Sequence, residues 1–240
     1  PLNQVTAKMS KSLKNVVNPD DILGEHGADA FRMYEMFMGP LDISKPWNSK
    51  DVGGVSRFLH RVWRLLIDEE TGLPRTHITD EATPNSESIE RALHRCIKKV
   101  GGDIERMAFN TAISAMMIWL NEAASPQAPP LSRSQAERFV LTLAPFAPHM
   151  CEELWNRLGH EKTLAYEPWP SYDEAMLLDD TIEVPVQVNG KLRARVTVPV
   201  DITSADLEAL ARQAVSEWLE GKETKKVVVV PKRMVNLVVS

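Results

Sequence analysis

Apolar positions recur at helical spacing through the middle of the chain and at strand spacing near its end. From Asp51 to Ile67, residues Val52, Val55, Phe58, Leu59, Val62, Leu65 and Leu66 share one stripe and predict an amphipathic helix. Ile89, Leu93, Cys96, Ile97 and Val100 predict a second helix from near Ser86, with Ser86 and Glu90 spaced for a capped start. Gly101-Gly102 reads as the break before a third, Asp103 to about Ala124. Its expected inward face is Ile104, Met107, Ala108, Thr111, Ala115, Ile118 and Trp119. A proline-rich connector, Ser125 to Leu131, leads to a fourth helix from Ser132. Pro145 and Pro148 interrupt it, because each lacks an N–H and clashes with the preceding turn. It resumes at Pro148 and ends at Gly159.

Ahead of this bundle, residues up to about 24 read as loop, with Asn18-Pro19-Asp20-Asp21 as a turn or helix start. A short helix follows in GADAFRMYEMFM, with Asp29 as its cap and Arg32 as a brace for the loop. After the bundle, the segment around Tyr166 to Pro170 reads as linker.

Beyond it, TIEVPVQVNGKLRARVTV predicts a β-hairpin turning at Asn189-Gly190. A three-residue loop that pairs Gln187 with Lys191 and Val186 with Leu192 sets six apolar residues on one face: Ile182, Val184, Val186, Leu192, Ala194 and Val196. Lys191, Arg193 and Arg195 then share the other. A helix from Ser204 to Leu219, with Thr203 as N-cap and Gly221 as C-cap, carries Leu207, Leu210, Ala211, Ala214, Val215, Trp218 and Leu219. Strands at Val227 to Val230 and Met234 to Val239 complete a β-β-α-β-β module. The expected fold class is multidomain and mainly α, with a small α+β unit at the end.

Composition narrows the options. The chain has 240 residues, and 43% are hydrophobic, enough for a sizeable core. A formal net charge of -5 argues against a polybasic nucleic-acid binder, so any such contact must come from local patches. The two cysteines, Cys96 and Cys151, lie in apolar helical patterns, which points to a reducing compartment and a cytoplasmic location. No run of about 18 apolar residues occurs, and no membrane partner is expected. The chain begins at Pro1 without an initiator Met, so it is expected to be a fragment or a processed product. His26, His60, His77, His94, His149 and His160 show no metal-ligand spacing with either cysteine, and no metal is expected. Trp63, Trp119, Trp155 and Trp218 fall at core spacing, while Trp47 and Trp169, beside prolines, read as junction packing.

Two features carry candidate chemistry. Lys8, Met9, Ser10, Lys11 and Ser12 form a hydroxyl-bearing loop with two ammonium groups three residues apart, suited to polyphosphate. Arg57, Arg61 and Arg64, at i, i+4 and i+7, share a helix stripe that fits a solvated face or an RNA backbone equally well.

The pentapeptide KMSKS and the residues after it resemble the leucyl-tRNA synthetases of bacteria, within the class I aminoacyl-tRNA synthetases. The likeness continues through LKNVVNPDDILGEHGADAFRMYEMFMGP, KPWN, GVSRFLHRVWRLL, FNTAISAMMIWLNE, LAPFAPHMCEELWNRLG, PWPSYDE, VQVNGKLRARV and VVVVPKRMVNLVV, nearly the whole chain. It departs at Leu13-Lys14, where members often carry KMSKSKGN, so Lys14 stands for a glycine. The resemblance implies residues 1–47 as the end of a catalytic domain with the KMSKS loop and a connecting helix. It implies 48–165 as a helical anticodon-binding bundle, 166–180 as a linker and 181–240 as an α+β tRNA-binding module.

It further implies an enzyme that joins leucine to its tRNA through an adenylate, with ATP and Mg²⁺ as cofactors of the full enzyme and none bound to this piece. Lys8 and above all Lys11 would meet the ATP phosphates, and the tRNA stem becomes the alternative contact for Arg32. Arg57, Arg61, Arg64, Lys191, Arg193 and Arg195, extended by Lys222, Lys225, Lys226, Lys232 and Arg233, would contact tRNA. The other partners implied are the catalytic and editing domains of the same enzyme, missing here, in a monomer. The piece alone is expected to be inactive. A valyl- or isoleucyl-type enzyme and a stand-alone, non-catalytic RNA-binding protein are the other readings of the same residues.

Overall fold

The computed structural model describes residues 7–75, 78–80, 86–178, 181–200, 202–231 and 233–240. His77 and Lys232 lie outside the described residues. The chain forms two compact units, Pro1–Leu177 and Leu178–Ser240.

The first unit is helical. Helix α1 (Pro19–His26) begins at the expected turn or helix start and takes the last residues of the segment read as loop. Asn18 caps it by accepting from Asp20 N, Pro19 sits at its first position, and Asp20 and Asp21 face the positive end of its dipole. Helix α2 (Ala28–Phe37) follows at once, with Gly27 between them at φ +83°. Helix α3 (Ser49–Leu66) buries the seven residues of its predicted stripe. Asn48 caps it, and the Tyr34 hydroxyl donates to the Asn48 carbonyl at 3.0 Å.

Helix α4 (Glu87–Glu105) differs from expectation twice. Ser86 makes no side-chain cap bond, and Glu90 reaches Gln135 and Arg138 instead of folding back to a cap. The helix also runs straight through Gly101-Gly102. The chain breaks instead after Glu105, at a corner with Met107 at φ +56°. Asp103, 1% exposed, is the post of this corner, receiving Lys99, Arg106 and the Thr111 hydroxyl at 2.6 Å each.

Helix α5 (Phe109–Ala123) buries Ala112, Ile113, Met116, Trp119, Leu120 and Ala123, whereas Met107 and Ile118 are exposed. The stretch from Ala112 to Leu120 is apolar except for Ser114, so spacing could not choose its face. Trp119 stacks on Phe139 at 4.0 Å. Helices α6 (Arg133–Leu143) and α7 (Pro148–Arg157) are split at the two prolines as expected, and α6 starts with a capping box of Ser132 and Gln135. Residues 166–177, read from the sequence as linker, pack on α4: Asp173 N donates to His94 Nδ1 at 2.8 Å, and Lys98 pairs with Glu174.

The second unit is a four-stranded mixed sheet in the order β2-β1-β4-β3. Its strands are β1 (Thr181–Val188), β2 (Lys191–Pro199), β3 (Thr224–Val230) and β4 (Met234–Val239), with β1 parallel to β4. Helix α8 (Ser204–Ala214), capped by Thr203, packs on it through Leu207 and Ala211. The predicted single helix breaks at Val215 before a short α9 (Ser216–Leu219). Leu210 and Trp218, expected inward, are about two-fifths exposed.

The hairpin register also differs. The turn has two residues, Asn189 and Gly190, both at positive φ, and Val188 pairs with Lys191. Arg193 is an extra residue, a bulge, because Leu192 opposes Gln187 and Ala194 opposes Val186. The bulge restores the apolar pairing of Val184 with Val196 and Ile182 with Val198, but leaves Leu192 half exposed. Among the described residues no helix is long and apolar enough to cross a membrane.

Candidate nucleic-acid interface

The loop from Lys8 to Ser12 is held by its own polar groups. Ser10 N donates to Asn15 Oδ1 at 2.8 Å, and Asn15 Nδ2 returns to the Lys8 carbonyl at 3.3 Å. Leu13 N donates to Ser10 Oγ, which lies 3.2 Å from Ser12 Oγ. Lys11 to Lys14 form a turn closed by Lys14 N to the Lys11 carbonyl, with Lys14 at φ +50°. Lys8 and Lys11 are exposed, and neither is ion-paired among the described residues. Two ammoniums and two hydroxyls are thus presented on a ring that Asn15 fastens. Asn15 is absent from the sequence-derived candidates, although an Asn placed to bond nearby backbone groups was the available signal.

A cleft of about 770 Å³ opens beside the loop, lined by Lys8, Met9, Glu35, Lys45 and Trp47 among others. Burial pushes the Glu35 carboxyl upward. Trp47 meets Tyr34 edge-on at 4.9 Å, which packs the α2–α3 connection within the first unit.

Asp29 does not cap its own helix. Its carboxylate accepts from His149 N, from Met150 N and from His149 Nδ1, at the start of α7. Arg32 donates to the Pro145 carbonyl at 3.1 Å rather than reaching the loop. Together they fix α2, which follows the loop, to the α6–α7 corner.

Arg57, Arg61 and Arg64 all lie on the exposed side of α3. Arg61 donates to Asn121 Oδ1 at 2.8 Å, and Arg64 lies 3.5 Å from Glu69 in a solvated pair. Arg57 has no ion-pair partner among the described residues.

The three cations of β2 do not form one face. Arg193, at the bulge, lays its guanidinium 3.9 Å over the Trp218 ring. Arg195 pairs across the hairpin with Glu183, and Lys191 stands opposite Val188 beside the turn. Lys222, Lys225, Lys226 and Arg233 are exposed. The cysteines are buried: burial raises the Cys96 thiol to about 12 and Cys151 well above the usual thiol range, so neither is a reactive thiolate.

A family described as the anticodon-binding domain of tRNA ligase matches residues 86–209. The chain belongs to this family. A second family, class I tRNA synthetases (I, L, M and V), matches residues 3–41, the stretch that holds the loop, α1 and α2. A crystal structure of a ternary complex of Agrobacterium radiobacter K84 agnB2 LeuRS with tRNA and LeuAMS is similar to 97% of the chain, at 33% identity and a TM-score of 0.69. The chain spans 31% of the length of that LeuRS. The anticodon-binding family thus accounts for α4 to the middle of α8, and the synthetase family for the loop, α1 and α2.

Proposed function

We propose that this chain is the tRNA-holding part of a leucine–tRNA ligase and contributes the KMSKS loop to its active site. The observation that carries the reading is the pair Lys8 and Lys11, exposed and without an ion pair among the described residues, on a loop inside the segment matched to class I synthetases. Ammonium groups placed this way stabilise charge that spreads over phosphate oxygens as the adenylate forms. Leucine as the amino acid rests on the similarity to LeuRS, since the matched family covers four amino acids.

The donor set suits ATP: Lys8 and Lys11 would hold the phosphates, and Ser10 and Ser12 add hydroxyl donors. The Mg²⁺ expected with ATP neutralises phosphate charge, and no described residue of this chain is assigned to it. Adenylation needs the opposing half of the site as well, because the loop cannot orient both reactants. The exposed arginines of α3 and the cations of the second unit supply phosphate contacts that position tRNA.

The test has two arms. In the intact enzyme, Lys11→Ala should lower pyrophosphate exchange by about two or more orders of magnitude while tRNA affinity changes little. Retained exchange with lost tRNA affinity would overturn the role given to the loop. The 240-residue chain itself should bind leucine tRNA in a strongly salt-dependent way.

A further inference from the structure

A groove on the first unit brings two aromatic rings together with cationic side chains. It has a volume of about 600 Å³ and is lined by Lys98, Gly101, Gly102, Arg106, Trp169 and Tyr172 among others. That is within the range of about 300–1,000 Å³ typical of ligand clefts. Its floor is α4 at the glycine pair. A Cβ on Gly101 would come within 3.2 Å of Trp169 Nε1, a tight contact that would make the indole give by a few tenths of an ångström. A glycine inside a helix costs about 1 kcal/mol, and here Gly101 gives an aromatic ring room while Gly102 faces Arg106.

Trp169 and Tyr172 are both about two-fifths exposed in the folded unit. Tyr172 is held in place by its neighbour: Asp173 N donates to His94 Nδ1, and His94 Nε2 in turn meets Glu90 at 2.8 Å. Lys98 Nζ sits 5.4 Å from the Tyr172 ring centroid and 3.0 Å from Glu174, whose side chain is 70% exposed. Two anchored, half-open aromatic rings beside ammonium and guanidinium groups are the composition of a base-stacking platform.

We propose that this groove takes an unpaired RNA nucleotide, its base stacked on Trp169 or Tyr172 and its phosphate on Lys98 in exchange for Glu174. The electrostatic part is modest, because Asp103 holds Lys99 and Arg106 and Glu174 holds Lys98. Stacking therefore supplies most of the affinity. The site rests on the RNA-binding function proposed for this chain but is separate from the arginines of α3.

The experiment measures binding of a fluorescent uridylate octanucleotide, a duplex RNA of equal length, AMP and leucine tRNA to the 240-residue chain. Trp169→Leu and Tyr172→Leu should each weaken the octanucleotide about tenfold, as loss of one stacked base predicts. Trp169→Tyr should keep most of the affinity, and Glu174→Gln should raise it by releasing Lys98. The duplex should be indifferent to all of these substitutions. Unchanged octanucleotide binding in both leucine variants, with tRNA still bound, overturns this site and leaves the proposed function standing. AMP bound as tightly as the octanucleotide overturns the RNA assignment. Failure to bind tRNA at any salt concentration overturns the proposed function itself.

Discussion

Asp29 caps a helix that begins some 120 residues further along the chain: its Oδ2 accepts from Met150 N at 2.7 Å. The same carboxylate holds His149 through the backbone and the ring. Helix α7 has no side-chain cap from the residue that precedes it, Ala147, so Asp29 fills that role from α2. Asp29→Ala should therefore destabilise the first unit by about 1–3 kcal/mol, the range for removing a partly buried cap and orphaning its donors. Urea unfolding checks it. A change under about 0.5 kcal/mol would show that water serves α7 as well.

Lys14 closes the loop turn in a backbone conformation that costs a side-chain-bearing residue about 1–2 kcal/mol and glycine little. Lys14→Gly should relieve most of this, less the entropy glycine adds to the open loop, for a local gain of about 0.5–1 kcal/mol. Amide exchange reads it, since the Lys14 N–H bonded to the Lys11 carbonyl should exchange more slowly in the glycine variant. Faster exchange would show that the turn does not depend on this dihedral.

Glu90 and Asp103 contribute to the acid sensitivity of the first unit. Burial works to raise both Glu90 and Asp103, but their hydrogen bonds and charged partners outweigh it. For Glu90 these are Arg138 and Gln135, for Asp103 Lys99 and Thr111, and both end below their usual values. A lowered folded value means the stabilisation is complete above the unfolded carboxylate range, about 4, and is lost as pH falls through the folded values. The urea midpoint should hold steady between about pH 6 and 8 and fall below about pH 4. Glu90→Gln should cost about 1–3 kcal/mol at neutral pH, by leaving Arg138 without its charge partner, and should flatten the acid limb. An acid limb unchanged in that variant would assign the sensitivity elsewhere.

The exposed arginines of α3 predict a salt signature. Replacing Arg57, Arg61 and Arg64 together by glutamine should reduce the slope of log affinity for tRNA against log salt by about 2–3, roughly one per lost phosphate contact. Fluorescence anisotropy across a salt series measures the slope. An unchanged slope would make these residues a solvated face.

Sequence reasoning succeeded where one signal dominated. The stripe of α3 is clean, and all seven of its residues are buried as read. The prolines at 145 and 148 split a helix because their missing N–H groups allow nothing else. It failed where long-range contacts decide. Gly101-Gly102 looks like a break until Trp169 lies over it, and the corner moved to Met107 because Asp103 gathers three partners there. The inward face of α5 could not be read from a segment apolar except for Ser114. The hairpin needed one residue of slack: spacing indicated as much, but assigned it to the turn instead of to Arg193. At the candidate site, the loop lysines are evident from sequence, whereas the partners of Asn15 and Arg32, the Lys8 and Pro145 carbonyls, are backbone groups that only the fold brings within reach.

The sheet of the second unit ends on β2 and β3, so each has a row of backbone donors and acceptors that no strand pairs among the described residues. On β2 the bulge at Arg193 disturbs the repeat that a foreign strand would have to match, and on β3 Lys225 and Lys226 line the rim with like charge. Both borders are thereby poor templates for a second polypeptide. The slip of one residue that sets the hairpin in register also protects the module against building itself into a larger sheet.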